Sequence, residues 1–167
     1  MEKRVNYKEV LEKTVEAIEN ELVLLVSVDK NGKANPMAIG WAVLGELWGK
    51  DVFVVFVRKS RYTYSLIEQS GDFTVNVFDK GMKKVVIYCG QVSGREHDKF
   101  KEKNLTTEKS TFVKSPLIKE SKIKFECKVI GKTDILPEFL DEEIKNKFYS
   151  DNDYHRVYFG EILAVYI

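Results

Sequence analysis

The 167-residue chain lacks long apolar runs, clustered cysteines and a surplus of either charge. No apolar segment reaches membrane-spanning length, and the N-terminal MEKRVNYKEVLEK is too polar for a signal peptide. Lysine and arginine number 27 against 26 aspartates and glutamates, so the basic surplus of a broad nucleic-acid footprint is missing. We therefore expect a cytoplasmic protein with a single domain over 1–167, since a chain of this length can bury roughly 70% of its unfolded surface.

Signals for metal, disulfide and nucleophilic chemistry are equally sparse. Only Cys89 and Cys127 occur, without a CxxC pair and in apolar surroundings, so we expect two reduced, packed thiols. Two cysteines and two distant histidines do not supply the clustered ligands of a zinc site, and no metal is predicted. The G-x-S-x-G and H-E-x-x-H signatures are absent. If the protein is an enzyme, a cofactor supplies the chemistry.

The apolar periodicity predicts strands joined by hairpins, with a few short helices between them. Strands are predicted at Leu22–Val28, Ala34–Ala42, Val52–Val57, Phe73–Phe78, Ile123–Val129 and Arg156–Ile167. Helices are predicted over 1–21, over a short stretch before Phe73, over His97–Asn104, and over 138–148 as an excursion before the last strand. The segment Met82–Gln91 fits either a helix or a strand. The pattern indicates a mainly β protein with α decorations, folded as a closed antiparallel barrel.

In the segment IKFECKV the alternation predicts which side chains enter the core. We expect Ile123, Phe125, Cys127 and Val129 to point inward, and Lys124, Glu126 and Lys128 to point to solvent.

The segment RKSRYTYSLIEQSGD concentrates cations and hydroxyls where a helix should begin. It carries Arg58, Lys59, Ser60, Arg61 and Thr63 within six residues, followed by Ser65 and Glu68 at capping-box spacing. A helix N-terminus offers unpaired N–H groups and a partial positive charge, and arginine forks add a match to a phosphate dianion. The competing interpretation is a solvated basic turn, which is the commoner case for an isolated run of cations.

Three further clusters carry candidate functional residues. Gly40, within Asn35–Trp41, marks either a barrel bend or a close approach of a ligand to the backbone. Ser93-Gly94-Arg95 forms either an ordinary loop or a second source of donors and positive charge. His155 is either a packing residue or a functional one.

Four segments, taken together and in this order, resemble the flavin reductase-like family of FMN-binding split barrels: NPMAIGW, LWGKDVFVVFVRKSRYTYSLIEQSGDFTVNVF, YCGQVSGREHDKF and DYHRVYFGEI. The resemblance implies a homodimeric, antiparallel split β-barrel that holds FMN near the subunit interface and uses NADH or NADPH as co-substrate.

The resemblance also implies the site residues. Met37, Ala38, Ile39, Gly40 and Trp41 would line the flavin ring; Arg58, Ser60, Arg61 and Thr63, with Tyr62 beside them, would hold the phosphate; and Ser93, Gly94, Arg95 and Lys99 would close the pocket. Tyr154 and His155 would lie near the reactive face, and His155 is the candidate catalytic residue.

These inferences predict an FMN-binding flavoprotein, namely an NAD(P)H-dependent flavin reductase that passes electrons to free flavin, oxygen or a protein acceptor. One alternative is a non-enzymatic FMN electron carrier of the flavoredoxin type. An alternative of another class is a nucleic-acid-binding β-barrel that stacks bases on its tyrosines and phenylalanines. The near-zero net charge speaks against it, and we expect neither a nucleic-acid nor a membrane partner.

Overall fold

The computed structural model describes residues 3–167, which form a seven-stranded sheet, a two-stranded sheet and five α-helices. The strands are β1 (Val23–Val28), β2 (Ala34–Ala38), β3 (Ala42–Leu47), β4 (Lys50–Arg58), β5 (Asp72–Val77), β6 (Thr107–Glu108), β7 (Leu117–Ile118), β8 (Ile123–Asp134) and β9 (His155–Tyr166). The helices are α1 (Leu11–Glu19), α2 (Tyr62–Ser70), α3 (Lys83–Gln91), α4 (Lys99–Glu102) and α5 (Glu142–Phe148), with single 3-10 turns at Tyr7–Glu9, Lys80–Met82 and Pro137–Phe139. Within this part of the chain, no helix combines the length and apolarity needed to cross a membrane.

The large sheet is antiparallel throughout and is not closed. Its strand order is β2-β1-β5-β8-β9-β4-β3, so β2 and β3, which are consecutive in the chain, form its two edges. The chain crosses from one edge to the other through Ile39, Gly40 and Trp41. The predicted continuous strand Ala34–Ala42 is therefore wrong, because the backbone leaves one edge at Ala38 and joins the other at Ala42. The closed barrel predicted from the strand pattern is also wrong, because β2 and β3 do not pair and leave the sheet open. The mainly β, antiparallel split barrel that the resemblance implies is confirmed.

Strand β1 is buried along its whole length because apolar layers cover both of its faces. Leu25 packs in the barrel interior with Phe53 and Phe125, whereas Leu24 packs on the outer side with Val86 of α3. A strand covered on both faces reads as a continuous apolar run, as LVLLVSV does.

Strand β8 departs from the predicted inside–outside alternation. Phe125, as predicted, is in the barrel interior, together with Ile123 and Cys127. The prediction that Lys124 and Glu126 face solvent is wrong: they are 2% and 0% exposed, because residues 105–121 cover this side of the sheet. Lys124 Nζ donates to Glu108 at 2.6 Å, and Glu126 accepts the backbone N–H groups of Thr111 (2.9 Å) and Phe112 (2.6 Å). Each buried charge thus meets the requirement for a polar partner.

The N-terminal region begins as an extended segment rather than as the start of the predicted helix 1–21. Lys3 N and Val5 N donate to the backbone of Ile167 and Val165 beside β9, both at 3.0 Å. Helix α1 starts only at Leu11, after a 3-10 turn capped by Asn6. Residues 1 and 2 of the predicted helix lie outside the described residues.

Two other helices differ from their predicted form. Helix α2 begins at Tyr62 with Arg61 as its N-cap, so the predicted capping box of Ser65 and Glu68 is wrong; Ser65 Oγ donates to the Tyr62 carbonyl at 2.8 Å. The excursion predicted at 138–148 divides into the 3-10 turn and the seven-residue α5, which buries none of its side chains. The ambiguous segment Met82–Gln91 is helical as α3 from Lys83.

Candidate functional site

The start of α2 meets β2 and the loop after α3 at one end of the sheet. Asn35 Nδ2 on β2 donates to Thr63 Oγ1 in the first turn of α2 at 3.0 Å, and Asn35 is 4% exposed. The loop reaches the same point at Gly94, where an added Cβ would stand 1.9 Å from Asn35 Oδ1. Only glycine leaves room for this approach, so the loop, the strand and the helix converge around the Asn35 side chain.

Two adjacent cavities open beside this junction. The smaller cavity has a volume of about 130 Å³ and is lined by Asn35, Met37, Ser60, Arg61, Tyr62, Thr63, Cys89, Gly90, Val92, Ser93, Gly94, Arg95 and Lys99. The larger cavity has a volume of about 200 Å³ and is lined by Met37, Ala38, Ile39, Gly40, Trp41, Phe56, Arg58, Arg61, Gly90 and His155. The two cavities share Met37, Arg61 and Gly90 and therefore adjoin each other.

The smaller cavity is cationic. Arg61, Arg95 and Lys99 line it, and no aspartate or glutamate of residues 3–167 does so. Arg95 lies over the ring of Tyr62, 5.4 Å from its centroid, and its Nη1 donates to the Ser60 carbonyl at 3.2 Å. The guanidinium of Arg61 makes no hydrogen bond or ion pair within the described residues, so its donors are available to a ligand.

Lys99 forms the buried floor of the smaller cavity. It is 3% exposed, and its Nζ donates to the carbonyls of Pro36 (2.9 Å) and Cys89 (2.7 Å). Burial lowers the pKa of Lys99 to about 8, and the nearby Arg61 adds to this shift. Burial also raises the pKa of the Cys89 thiol to about 11. At neutral pH the site therefore presents an ammonium ion and a neutral thiol.

The larger cavity combines the side chains of Met37, Ile39, Trp41 and Phe56 with those of Arg58, Arg61 and His155. The crossing between the sheet edges forms one wall of it. A Cβ added at Gly40 would meet no heavy atom within 4 Å, so the backbone there is open to the cavity. Trp41 packs against His155 (ring centroids 4.8 Å apart) and against Phe148 (5.2 Å). The crossing thus serves both as the barrel bend and as cavity wall, so the two interpretations of Gly40 are compatible.

Arg58 lies in the larger cavity rather than the smaller one, and its donors are already engaged. Its Nη1 donates to the Asp151 carboxylate (2.9 and 3.0 Å) and to the Asp153 carbonyl (3.1 Å), while Nη2 donates to the Phe148 carbonyl at 2.7 Å. Ser60 Oγ, likewise, donates to Asp153 at 2.5 Å. Both residues thereby tie segment 148–153 to the start of α2.

His155 is 9% exposed, and its Nδ1 lies 2.8 Å from the hydroxyl of Tyr149. Burial lowers the pKa of His155 to about 4, with a further contribution from the positive charge of Arg58. The imidazole is therefore neutral at physiological pH.

Apart from Tyr154, which lines neither cavity, every site residue predicted from the sequence lines one of the two, and their roles toward a ligand stay predictions. The cavities also include residues that were not predicted, namely Asn35, Phe56, Cys89, Gly90 and Val92. All five lie within the segments that carried the resemblance. Phe56 lies in an all-apolar strand, where only the packing shows which side chain reaches a cavity.

The profile of the flavin reductase-like domain matches residues 18–167. Flavoredoxin from Methanosarcina acetivorans is 32% identical with a TM-score of 0.68, and the alignment covers 86% of this chain and 66% of that one. Flavoredoxin of Desulfovibrio vulgaris (Miyazaki F) is 26% identical with a TM-score of 0.68, covering 86% of this chain and 67% of that one.

Among curated proteins, an uncharacterized protein of Archaeoglobus fulgidus is 36% identical over 98 residues, which are 59% of this chain and 55% of that protein. The match thus spans about half the length of that relative. With a family match that extends over most of the sequence, this chain belongs to the flavin reductase-like domain family.

Proposed function

We propose that this protein binds FMN and acts as an NAD(P)H-dependent flavin reductase. The observation that carries the proposal is the pair of adjoining cavities. One is cationic and free of carboxylates, and the other is bounded by the open backbone at Gly40 and the rings of Trp41 and Phe56. FMN has the same division, with a phosphate dianion at one end and a planar ring at the other.

The residues present fit the phosphate. Arg61 has unused guanidinium donors, Lys99 adds a buried ammonium, and Arg95 closes the loop side. The first backbone N–H groups of α2 point out of its N-terminus, which is a favourable environment for an anion. Arg58 is proposed to hold segment 148–153 instead, because its donors are used within the protein.

The ring would lie along the crossing Met37–Trp41, where the open backbone at Gly40 leaves room for it. Bound FMN would supply the ring that accepts a hydride. The chain's own contribution is to bind and orient the reactants and to exclude water. This role needs neither a nucleophile nor a general base, which agrees with the absence of their signatures from the sequence.

The decisive experiment for FMN binding is reconstitution of the purified protein with FMN, riboflavin or FAD, followed by gel filtration and an absorption spectrum. The proposal expects a yellow protein that retains FMN more tightly than riboflavin, because only FMN carries the terminal phosphate. Protein that takes up no FMN would overturn the proposal.

A second candidate function is an electron carrier without a productive nicotinamide site. The similarity to two flavoredoxins favours it. Anaerobic mixing of the FMN-loaded protein with NADH or NADPH separates the two functions: bleaching of the flavin absorption at a catalytically competent rate supports the reductase, and a stable yellow colour supports the carrier. Family membership favours both over the nucleic-acid alternative.

We also propose that the protein is a homodimer whose second copy covers α5 and the rim of the larger cavity. Trp41, Phe139, Ile144 and Phe148 expose 38%, 81%, 45% and 37% of their surface. Helix α5 is acidic at its start and basic at its end, so two copies related by a two-fold axis would place opposite charges together. An exposed apolar patch of this kind marks an interaction surface.

A further inference from the structure

Tyr149 and His155 form a buried pair at the wall of the larger cavity. Tyr149 is 3% exposed, and its hydroxyl lies 2.8 Å from His155 Nδ1. Their rings meet edge to face, with centroids 5.5 Å apart. Within residues 3–167 the Tyr149 hydroxyl has no other hydrogen-bond partner.

The hydrogen bond to Tyr149 links the tautomer of His155 to the direction in which the phenol donates. Burial raises the pKa of Tyr149, so the phenol keeps its proton. Within residues 3–167 the partner of the hydroxyl is Nδ1; when Nδ1 accepts the phenolic proton it is unprotonated, and a neutral imidazole then carries its proton on Nε2. His155 Nε2 has no partner among the described residues and is not a buried unsatisfied atom, so it is accessible at the cavity.

The segment that carries Tyr149 is held from several sides. Arg58 Nη2 donates to the carbonyl of the preceding residue, Phe148, and its guanidinium lies 5.5 Å from the Tyr149 ring centroid. Tyr154 also stacks on this ring, with the two centroids 4.7 Å apart. These contacts hold the ring, and with it the hydroxyl, in place.

Burial is the main cause of the lowered pKa of His155, while the surrounding charges oppose one another: Arg58 and Arg61 lower the pKa, and Asp153 and Asp151 raise it. The groups that face it are Arg58, Arg61, Asp151, Asp153 and the Tyr149 hydroxyl. Asp151 is paired with Arg58, and Asp153 accepts from Ser60. With the carboxylates occupied and the ring buried, the imidazole gains little from a positive charge.

We propose that Tyr149 is a positioning residue that holds His155 as the neutral Nε2–H tautomer, so that the larger cavity offers an uncharged hydrogen-bond donor to the carbonyl of a planar ring ligand. Such a donor favours a ketone or amide oxygen and gives a carboxylate no compensating charge. This inference rests on the proposed function, in which two ligands bear such a carbonyl: the flavin ring and the carboxamide of a nicotinamide.

The tautomer can be measured on the protein without FMN by long-range ¹H–¹⁵N NMR, which distinguishes a protonated from an unprotonated ring nitrogen. The chain has two histidines, so a His97→Gln variant assigns the signals. We expect His155 to show an unprotonated Nδ1 and a protonated Nε2 at neutral pH. Tyr149→Phe should allow the imidazole of His155 to exchange between its two tautomers. Tyr154→Phe, which removes a hydroxyl from the adjacent stacked ring, should leave the tautomer of His155 unchanged. A protonated Nδ1 in the wild type, or no response to Tyr149→Phe, overturns the proposal.

Ligand binding tests whether His155 Nε2–H donates a hydrogen bond to a ligand carbonyl. His155→Gln places an amide N–H donor where Nε2–H stood, and His155→Leu removes the donor. We expect His155→Leu, but not His155→Gln, to weaken binding of a carbonyl ligand by roughly 3- to 10-fold, the factor that one neutral hydrogen bond supplies. If FMN affinity falls, the acceptor of this hydrogen bond is a flavin carbonyl. If the FMN-loaded protein binds nicotinamide more weakly but nicotinate equally well, the acceptor is the carboxamide of the nicotinamide. Unchanged affinity for all of these ligands overturns the proposal.

A double-mutant cycle separates positioning from packing. In the His155→Gln background, Tyr149→Phe should not reduce ligand affinity further, because glutamine has no imidazole tautomer for Tyr149 to select. Equal effects of Tyr149→Phe in both backgrounds would overturn the positioning role, and melting curves of all variants identify simple loss of folding. If the protein binds no FMN, the proposed function fails, yet the NMR result still decides the tautomer.

Discussion

At the residue scale, two arginines three positions apart have different environments. Arg58 makes four hydrogen bonds to segment 148–153, whereas the Arg61 side chain makes none within residues 3–167. An arginine that is bonded to the protein organises structure, and one with unused donors beside a cavity is available to bind an anion. The two residues should therefore respond differently to substitution.

Arg61→Ala should weaken FMN binding by roughly 10- to 100-fold, because a charge-assisted hydrogen bond contributes about 1.5–3 kcal/mol. Riboflavin affinity should hardly change, since riboflavin lacks the phosphate. Fluorescence titration of both flavins measures the difference. Lys59→Ala is the matched control, because Lys59 pairs with Asp134 at 2.7 Å and lines neither cavity. Equal losses for FMN and riboflavin would show that Arg61 does not contact the phosphate.

The pKa of Lys99 predicts a pH dependence for the same site. Only the ammonium form attracts the phosphate, and the free protein loses that proton near pH 8. FMN affinity should therefore fall by roughly tenfold from about pH 7 to about pH 9, in proportion to the protonated fraction. Riboflavin binding over the same range is the control, and Lys99→Met should bind FMN weakly with no such dependence. A flat FMN profile in the wild type would contradict this role for Lys99.

The lowered pKa of Lys99 also makes the free energy of unfolding depend on pH. Between about pH 8 and the ordinary value of 10.5, the unfolded chain keeps a proton on Lys99 that the folded chain has released. The contribution of Lys99 to the free energy of unfolding should therefore rise with pH across that interval.

At the scale of elements, the site depends on how closely the loop after α3 approaches β2. The contact at Gly94 lets the loop bring Ser93 and Arg95 to the start of α2, where Asn35 already bonds Thr63. Helix α2 supplies the N-terminus, but the loop supplies the second arginine. The anion site is therefore a product of three elements rather than of the basic turn alone.

Gly94→Ala should disrupt this junction. Its Cβ would meet Asn35 Oδ1 at 1.9 Å and Tyr62 Cδ1 at 2.9 Å, so either the loop or Asn35 must move. We expect a loss of about 1–3 kcal/mol in stability, as for other overpacked sites, and weaker FMN binding. Gly45→Ala on the edge strand β3 is the control, because its Cβ would meet nothing within 4 Å and its φ is not positive. A Gly94→Ala variant as stable as Gly45→Ala, with unchanged FMN binding, would contradict this account.

At the scale of the whole molecule, the open sheet leaves apolar side chains on α5 and on the crossing between its edges. Trp41 links the two, since it lines the larger cavity and contacts Phe148. A second copy over this surface would shield both the exposed aromatic rings and the cavity rim.

The proposed dimer predicts a mass near twice the 19.3 kDa of the chain in light scattering at micromolar concentration. Phe139→Glu, at the most exposed of these side chains, should shift the mass toward the monomer, because a carboxylate would be buried in an apolar interface. Val15→Glu, at another exposed apolar position on α1 (41% exposed), serves as the control. A monomeric wild type would overturn the dimer.

Much of this protein follows from its sequence. The continuous apolar run of β1 and the alternation in β8 are local patterns, and they were sufficient to predict an antiparallel β architecture. The clustering of Arg58 to Thr63 at a helix start was also visible, as were the segments that line the cavities.

The tertiary structure alone decided which of these groups are available. Lys124 and Glu126 are buried because another segment, 105–121, lies over them. Arg58 is held by the Phe148 carbonyl and the Asp151 carboxylate, 90 and 93 positions away. Local periodicity reports the preferences of a residue's neighbours in sequence, whereas burial, pairing and pKa depend on charges and surfaces that only the folded chain brings together.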